Sequence, residues 1–232
     1  MRTQAFENAY GGTPSWEIGR PQGAVLRLEE AGRIGGSVLD AGCGTGDASV
    51  YLARRGHHVV GFDFAPSAIA IAARKAADAG LAGRARFFVA DALRLGDGLQ
   101  AADVAPIAFD TVLDIGLFHT LQPTDRRAYV AALRSLIAPD GRLFLLAWSD
   151  RNPFGYGPER VRRRDIRAAV AGRWRVESIV DEALETRLGA GHAHAWLAEL
   201  SPLPVADTSR VAGPGAKLTP PRSRRHPRAS QE

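Results

Sequence analysis

The chain of 232 residues has one cysteine, one methionine, 7% aromatic residues and no long apolar run. With Cys43 alone, an internal disulfide and a cysteine-built zinc site are excluded. No window reaches the roughly 18 consecutive apolar residues of a membrane span, and the start, MRTQAFENAY, lacks the apolar stretch of a secretory signal. A cytoplasmic protein without a membrane partner is expected. Most of the chain also lacks net charge. Six of the 30 basic residues and one of the 25 acidic ones lie from Thr208 onward, so residues 1–207 carry 24 of each, and the formal charge of +5 belongs to the end of the chain. A neutral body does not draw in a polyanion, so nucleic acid is not an expected partner.

That end, TSRVAGPGAKLTPPRSRRHPRASQE, has no aromatic residue and few large aliphatics. It cannot bury enough apolar area to offset the entropy of ordering. Residues 204–232 are expected to be a disordered basic tail, with a polybasic arm for nucleic acid or anionic lipid as the functional alternative. The remainder is of a size for one core: a lid and first helix over 1–35, then one domain over 36–203.

What is present is an alternation. Short apolar runs, SVLDA (37–41), HVVGFD (58–63), ARFFVAD (85–91), FDTVLDIG (109–116) and RLFLLAWS (142–149), are separated by helical stretches at 47–55, 66–79 and 123–137. A helix at 20–32 precedes them, a basic helix at 162–171 follows, and RWRVESIVDEAL and HAHAWLAEL read as late strands, the second ambiguous with a helix. Such alternation implies an α/β fold: a Rossmann-like, doubly wound, mostly parallel sheet with helices on both faces.

In such a sheet, ligands bind beyond the carboxyl ends of the strands where strand order reverses. The stretch VLDAGCGTGDAS (38–49) is one of those ends. Gly42, Gly44 and Gly46 permit positive φ and bring backbone N–H groups close to a ligand. The spacing D-x-G-x-G-x-G differs from the dinucleotide pattern, with Asp40 before the loop and Asp47 where a third glycine would stand. Two carboxylates repel a diphosphate and suit an amine. Asp63, ending the second run, is placed to accept from both hydroxyls of a ribose, and Asp91, ending the third, to meet the exocyclic amine of an adenine. An ammonium, a ribose and an adenine without phosphate describe S-adenosylmethionine.

The pieces VLDAGCGTG, VVGFDFAPSAI, FFVADAL, FDTVLDIGLFH and LIAPDGRLFLL, in this order, resemble the class I S-adenosylmethionine-dependent methyltransferases over roughly residues 10–200. The resemblance implies a sheet of seven strands, S-adenosylmethionine as cofactor with S-adenosylhomocysteine as product, no metal, and a small-molecule acceptor. It implies that Asp40 and the three glycines line the methionine part, that Asp63 with the neighbouring Phe64 holds the ribose side, and that Asp91 and Ala92 flank the adenine. Cys43 lies in the same loop as a small packing residue. The start, AYGGTPSWEIGRPQ (9–22), resembles that of the thiopurine methyltransferase-like group, which implies a lid with Trp16 and Gly19 near the methionine end.

The fourth-strand segment, LDIGLFHT, faces the methyl group in this architecture, and its ionisable groups are Asp114 and His119. Both are candidate catalytic residues: His119 as a base or an orienting group, Asp114 as a cofactor-side or structural group. Methyl transfer needs alignment above all, so no covalent residue is required. The segment lacks the N/D-P-P-Y/F arrangement of many nucleobase methyltransferases. The basic cluster RVRRRDIR (160–167) is either a solvated helix face or an attractor of anionic acceptors. Methylation of an oxygen, sulfur or nitrogen atom leads; a nicotinamide-dependent oxidoreductase and a nucleic-acid-binding protein or RNA methyltransferase are the alternatives.

Overall fold

A computed structural model describes residues 2–102, 108–153 and 157–204. The expected basic tail, from Val205 on, lies outside the described residues. In chain order the elements are α1 (Arg2–Ala9), α2 (Gly23–Glu30), β1 (Ser37–Ala41), α3 (Asp47–Arg54), β2 (His58–Asp63), α4 (Pro66–Asp78), β3 (Ala85–Val89), a 3-10 turn (Ala92–Arg94), α5 (Leu95–Ala101) and β4 (Phe109–Ile115). A second 3-10 turn (Phe118–Thr120), α6 (Arg126–Arg134), β5 (Ile137–Trp148), α7 (Arg163–Val170), β6 (Trp174–Glu185) and β7 (His192–Pro202) complete the described chain.

The strands form one sheet in the order β3-β2-β1-β4-β5-β7-β6. Strands β3, β2, β1, β4 and β5 are parallel, and β7 runs antiparallel to both its neighbours. Alternate residues of each central strand enter opposite helical layers, as the period of a strand buried on both sides requires. Val38, Val59, Leu113 and Phe144 pack with Val25 and Leu28 of α2, Val50 and Leu52 of α3 and Ala76 of α4. Leu39, Phe62, Val112, Leu143 and Leu145 pack with Leu95, with Tyr129, Val130 and Leu133 of α6 and with Ile166 of α7. Strand order reverses between β1 and β4, so the crevice of the doubly wound fold opens there.

Several boundaries differ from expectation. The helix expected over 123–137 is confined to α6, and β5 starts at Ile137 rather than Arg142, carrying Pro139 and Gly141 through an irregular register against β4. Gly141 makes this possible, because a β-carbon there would stand 2.6 Å from Ile137 Cγ1. HAHAWLAEL resolves as strand β7, whose pairing with both β5 and β6 outweighs the local ambiguity. Neither α1 nor α5 is foreseen; α5, LGDGLQA, carries two poor helix formers, and Gly98 is there because a β-carbon would stand 2.4 Å from Ala90 Cβ.

Gly46, with φ 79°, ends the turn after β1, and a β-carbon on it would stand 2.8 Å from Ala72 Cβ of α4. Gly32, with φ 65°, has nothing within 4 Å of that position. Gly46→Ala and Gly32→Ala are both expected to lose about 1 kcal/mol to backbone strain in urea unfolding, and Gly46→Ala a further loss of about 1–3 kcal/mol for crowding against α4. Equal losses would contradict the packing of the turn against α4.

Candidate functional site

The crevice is built from the turn 42–46 on one side and the segment 116–120 on the other. Gly42 (φ 71°) brings the two together: a β-carbon there would stand 2.8 Å from Leu117 Cβ. The N–H groups of Gly42 and Cys43 both donate to Phe62 O at 2.9 Å, which ties the turn to the end of β2. At that end, Asp63 accepts from Gly44 N (3.1 Å) and Ala65 N (3.0 Å), and burial raises its carboxyl above the ordinary value. A carboxylate has about four acceptor sites, so Asp63 keeps capacity for a ligand's hydroxyls.

Over the turn lies the segment that precedes α2. Trp16, 40% exposed, donates from Nε1 to the Tyr10 hydroxyl at 3.3 Å. Phe6 stacks on Trp16 and edge-on to Phe64, with centroids 5.5 and 5.9 Å apart. Above Gly44 (φ 54°), Tyr10 OH and Glu17 Oε1 lie 3.2 and 3.3 Å from where a β-carbon would stand. Burial, with Asp63 nearby, pushes the Tyr10 phenol up, so it is un-ionised. Glu7 Oε2 is buried without a hydrogen-bond partner among the described residues, and its carboxylate is close enough to Asp63 to raise the Asp63 carboxyl further. The segment is fastened at its far end to β6: Arg20 pairs with both Glu185 oxygens (3.0 and 2.9 Å), Gln22 exchanges two hydrogen bonds with the Glu185 backbone, and Arg187 N donates to Ser15 O.

Two charged residues differ from their expected placing, and a third takes the structural one of its two expected roles. Asp40, 3% exposed, points into the α2–α4 layer and accepts from Ser49 Oγ at 2.6 Å; burial pushes its carboxyl up to about 6. Asp47 is bound at 2.5 Å by Lys75 Nζ. Contrary to the expectation of two carboxylates facing an amine, Asp40 is engaged by Ser49 and Asp47 by Lys75. Asp114, a candidate for catalysis and the cofactor side, has 0% exposure. One oxygen accepts from Leu117 N (2.9 Å) and Phe118 N (3.1 Å), the other from Tyr129 OH (2.8 Å), and burial lifts its carboxyl to about 6. It braces the segment 116–120 from beneath, as the structural group that was one of its two expected roles. Tyr129 is the partner not foreseen, a buried tyrosine on the amphipathic face of α6.

His119, 7% exposed, sits against Gly116, whose added β-carbon would lie 3.3 Å from His119 Cε1. Its Nδ1 accepts from Trp148 N at 3.1 Å. Burial, and then the positive charge of Arg126, push the imidazole down to about 3. Arg126 is itself buried, its guanidinium 5.0 Å over the Phe118 ring and 3.7 Å from Glu159. His119 is therefore neutral, with its hydrogen on Nε2, and acts as a hydrogen-bond donor. A base titrating near 6.5 does not fit this geometry.

The other candidates are placed as follows. Cys43 is partly buried, its Sγ 3.7 Å from Gly44 O and its thiol pushed well up by burial, which suits packing rather than attack. Asp91 is exposed and caps the 3-10 turn through Leu93 N at 2.9 Å, and Ala92 beside it is buried. Gly19 takes φ 73° in the segment over the turn. The cluster 160–167 is a solvated face: Arg163 covers the Trp196 ring at 4.1 Å and pairs with Asp181, and Arg164 pairs with Asp165. Among the described residues, no group of three or more His, Cys, Asp or Glu side chains is disposed to hold a metal ion, and no helix is long and apolar enough to cross a membrane.

Residues 38–141 match the family described as "Methyltransferase domain". The chain is 36% identical over 185 residues, 75% of its own length and 78% of the relative's, to the 2-heptyl-1-hydroxyquinolin-4(1H)-one methyltransferase of Mycobacteroides abscessus. A solved structure described as the conversion of a disulfide bond into a thioacetal group during echinomycin biosynthesis is 34% identical, with a TM-score of 0.76, over 87% of this chain and 93% of that one. The fold alone is shared with the magnesium protoporphyrin IX methyltransferase of Synechocystis PCC 6803 with bound S-adenosylmethionine, at 24% identity and a TM-score of 0.58, over 77% of this chain and 76% of that one. The chain belongs to the class I S-adenosylmethionine-dependent methyltransferases. These relatives favour neither an oxidoreductase nor a nucleic-acid-binding protein. A cationic cofactor without phosphate suits the donor set: Asp63 with acceptor capacity left, and the carboxylates of Glu7 and Glu17 beside Asp63 and Gly44.

A histidine held neutral carries a cost in acid. In the unfolded chain it binds a proton below about 6.5, whereas in the folded chain it does so only near 3, so its contribution to stability falls as pH drops between these values. From pH 7 to pH 5 the loss is about 2 kcal/mol. His119→Gln is expected to remove that part of the acid destabilisation in paired urea titrations. An unchanged pH dependence would show that His119 takes up its proton as readily in the fold as in the unfolded chain.

Proposed function

We propose that the crevice between the turn 42–46 and the segment 116–120 binds S-adenosylmethionine and passes its methyl group in line to an oxygen, sulfur or nitrogen atom of a small-molecule acceptor. The observation that carries this reading is the placing of Tyr10 and Glu17 over Gly44, with Trp16 bonded to Tyr10 and the Asp63 carboxylate at the end of β2 beneath. Asp63 accepts from the ribose hydroxyls, Phe64 lies beside it, Asp91 and Ala92 flank the adenine, and Gly42 and Gly44 run along the methionine arm. Trp16 and Gly19 belong to the lid, as in the thiopurine methyltransferase-like group that the segment resembles.

The bound cofactor supplies a methyl group already activated by its positive sulfur. The protein's part is alignment: it fixes the crevice walls through Asp114 and Asp40 and excludes water with the lid. His119 donates from Nε2 and removes no proton, so an oxygen or sulfur acceptor arrives ionised or loses its proton to solvent. The hydroxyquinolinone in the name of the Mycobacteroides abscessus relative brings an acidic hydroxyl on a heteroaromatic ring to the front of the acceptor classes.

Release of S-adenosylhomocysteine across a panel of phenols, thiols, N-hydroxy heterocycles and amines identifies the acceptor. Asp63→Ala is expected to weaken S-adenosylhomocysteine binding about ten- to a hundredfold in calorimetry. Wild-type affinity in this variant would place the ribose elsewhere. His119→Asn is expected to leave the pH dependence of turnover to the acceptor's own ionisation; a shift of that profile in the variant would restore the base.

A further inference from the structure

Glu17 is the acid that reaches the glycine turn from outside the sheet. Its Oε2 accepts a short hydrogen bond from Thr45 Oγ1. Thr45 is 5% exposed, and its oxygen in turn accepts from Lys75 Nζ at 2.7 Å, the same ammonium that binds Asp47 at 2.5 Å. The Glu17 side chain is thus held by a chain of three residues rooted in α3 and α4, although it belongs to the segment before α2. Its Oε1 has no hydrogen-bond partner among the described residues and lies 3.3 Å from the β-carbon position of Gly44. The Tyr10 hydroxyl shares that position, 3.2 Å from the same point.

The acids of the turn itself are spent elsewhere. Asp40 is engaged by Ser49 of α3, and Asp47 by Lys75 of α4. A cation lying along the outer side of Gly44 meets Glu17. On S-adenosylmethionine and on S-adenosylhomocysteine alike, the cation that carries N–H donors is the α-ammonium of the amino-acid arm; the sulfonium has none. We propose that Glu17 Oε1 receives this α-ammonium, and that Thr45, Lys75 and Asp47 are the residues that position it. The proposal rests on the crevice being the cofactor site.

Paired calorimetry with S-adenosylhomocysteine and 5′-methylthioadenosine tests it, because the second ligand keeps the adenosine and the sulfur but lacks the amino-acid arm. Wild type is expected to bind S-adenosylhomocysteine more tightly. Glu17→Gln is expected to weaken S-adenosylhomocysteine about ten- to a hundredfold, as loss of a charge-assisted hydrogen bond does, and to leave 5′-methylthioadenosine within about twofold. Thr45→Val is expected to move S-adenosylhomocysteine in the same direction, and Thr45→Ser to restore it. Equal weakening of both ligands would overturn the proposal and leave Glu17 as a fastening of the lid; an unchanged affinity for S-adenosylhomocysteine, or a wild type that does not distinguish the two ligands, would overturn it outright. A wild type that binds neither ligand would contradict the cofactor reading of the crevice instead.

Discussion

The turn from β1 into α3 is the constraint on which the rest of the molecule depends. Each of its three left-handed glycines touches a different wall. Gly42 meets Leu117 of the opposite rim, Gly44 lies under Tyr10 and Glu17 of the lid, and Gly46 rests on Ala72 of α4 and the Phe87 ring. A side chain at any of these positions would need both a disfavoured φ and space that is already filled, so the turn, the rim, the lid and α4 are fixed relative to one another by backbone alone. The crevice has its width because these contacts are backbone to side chain.

Around the turn, charge is turned inward and used as bracing. Asp40 and Asp114 enter opposite helical layers from adjacent strands, and each is engaged by a hydroxyl, Ser49 on α3 and Tyr129 on α6. Burial raises both carboxyls to about 6, which is a cost in stability above that pH and is offset by the hydrogen bonds that hold the loops. The neutral His119, bonded to the Trp148 backbone, braces the same rim from the β5 side. The rim 116–120 is therefore rigid before a ligand arrives, as catalysis by alignment needs.

The sheet was legible because its strands announce themselves: β1 and β2 are apolar runs bounded by Gly and Asp, and the structure has them at the residues the pattern implies. Asp63 was equally legible as the last residue of such a run. The directions of Asp40, Asp47 and Asp114 were not, because their partners Ser49, Lys75 and Tyr129 are ordinary helix residues whose pairing depends on how strands and helices pack. A strand residue's face follows from the period of two, so the side on which Asp40 and Asp114 lie was available from Leu39 and Val112 beside them; the use of that side was not. Part of the glycine signal also proved intramolecular, with Gly42 and Gly46 required by packing. Glu17, next to Trp16, carried no signal beyond its place in a short segment rich in glycine and aromatic residues. Helix α5 was hidden by its two glycines, one of which is there to admit Ala90.

Amide hydrogen exchange of the full chain, with and without S-adenosylhomocysteine, tests the crevice and its lid as one closed unit most directly. The account predicts slowed exchange upon binding at Gly42–Gly46, at the backbone after Asp63, at the rim 116–118 and across the segment 10–19, with β6 and α7 unchanged. Protection confined to another surface, or protection of the turn with no change in the segment 10–19, would contradict it.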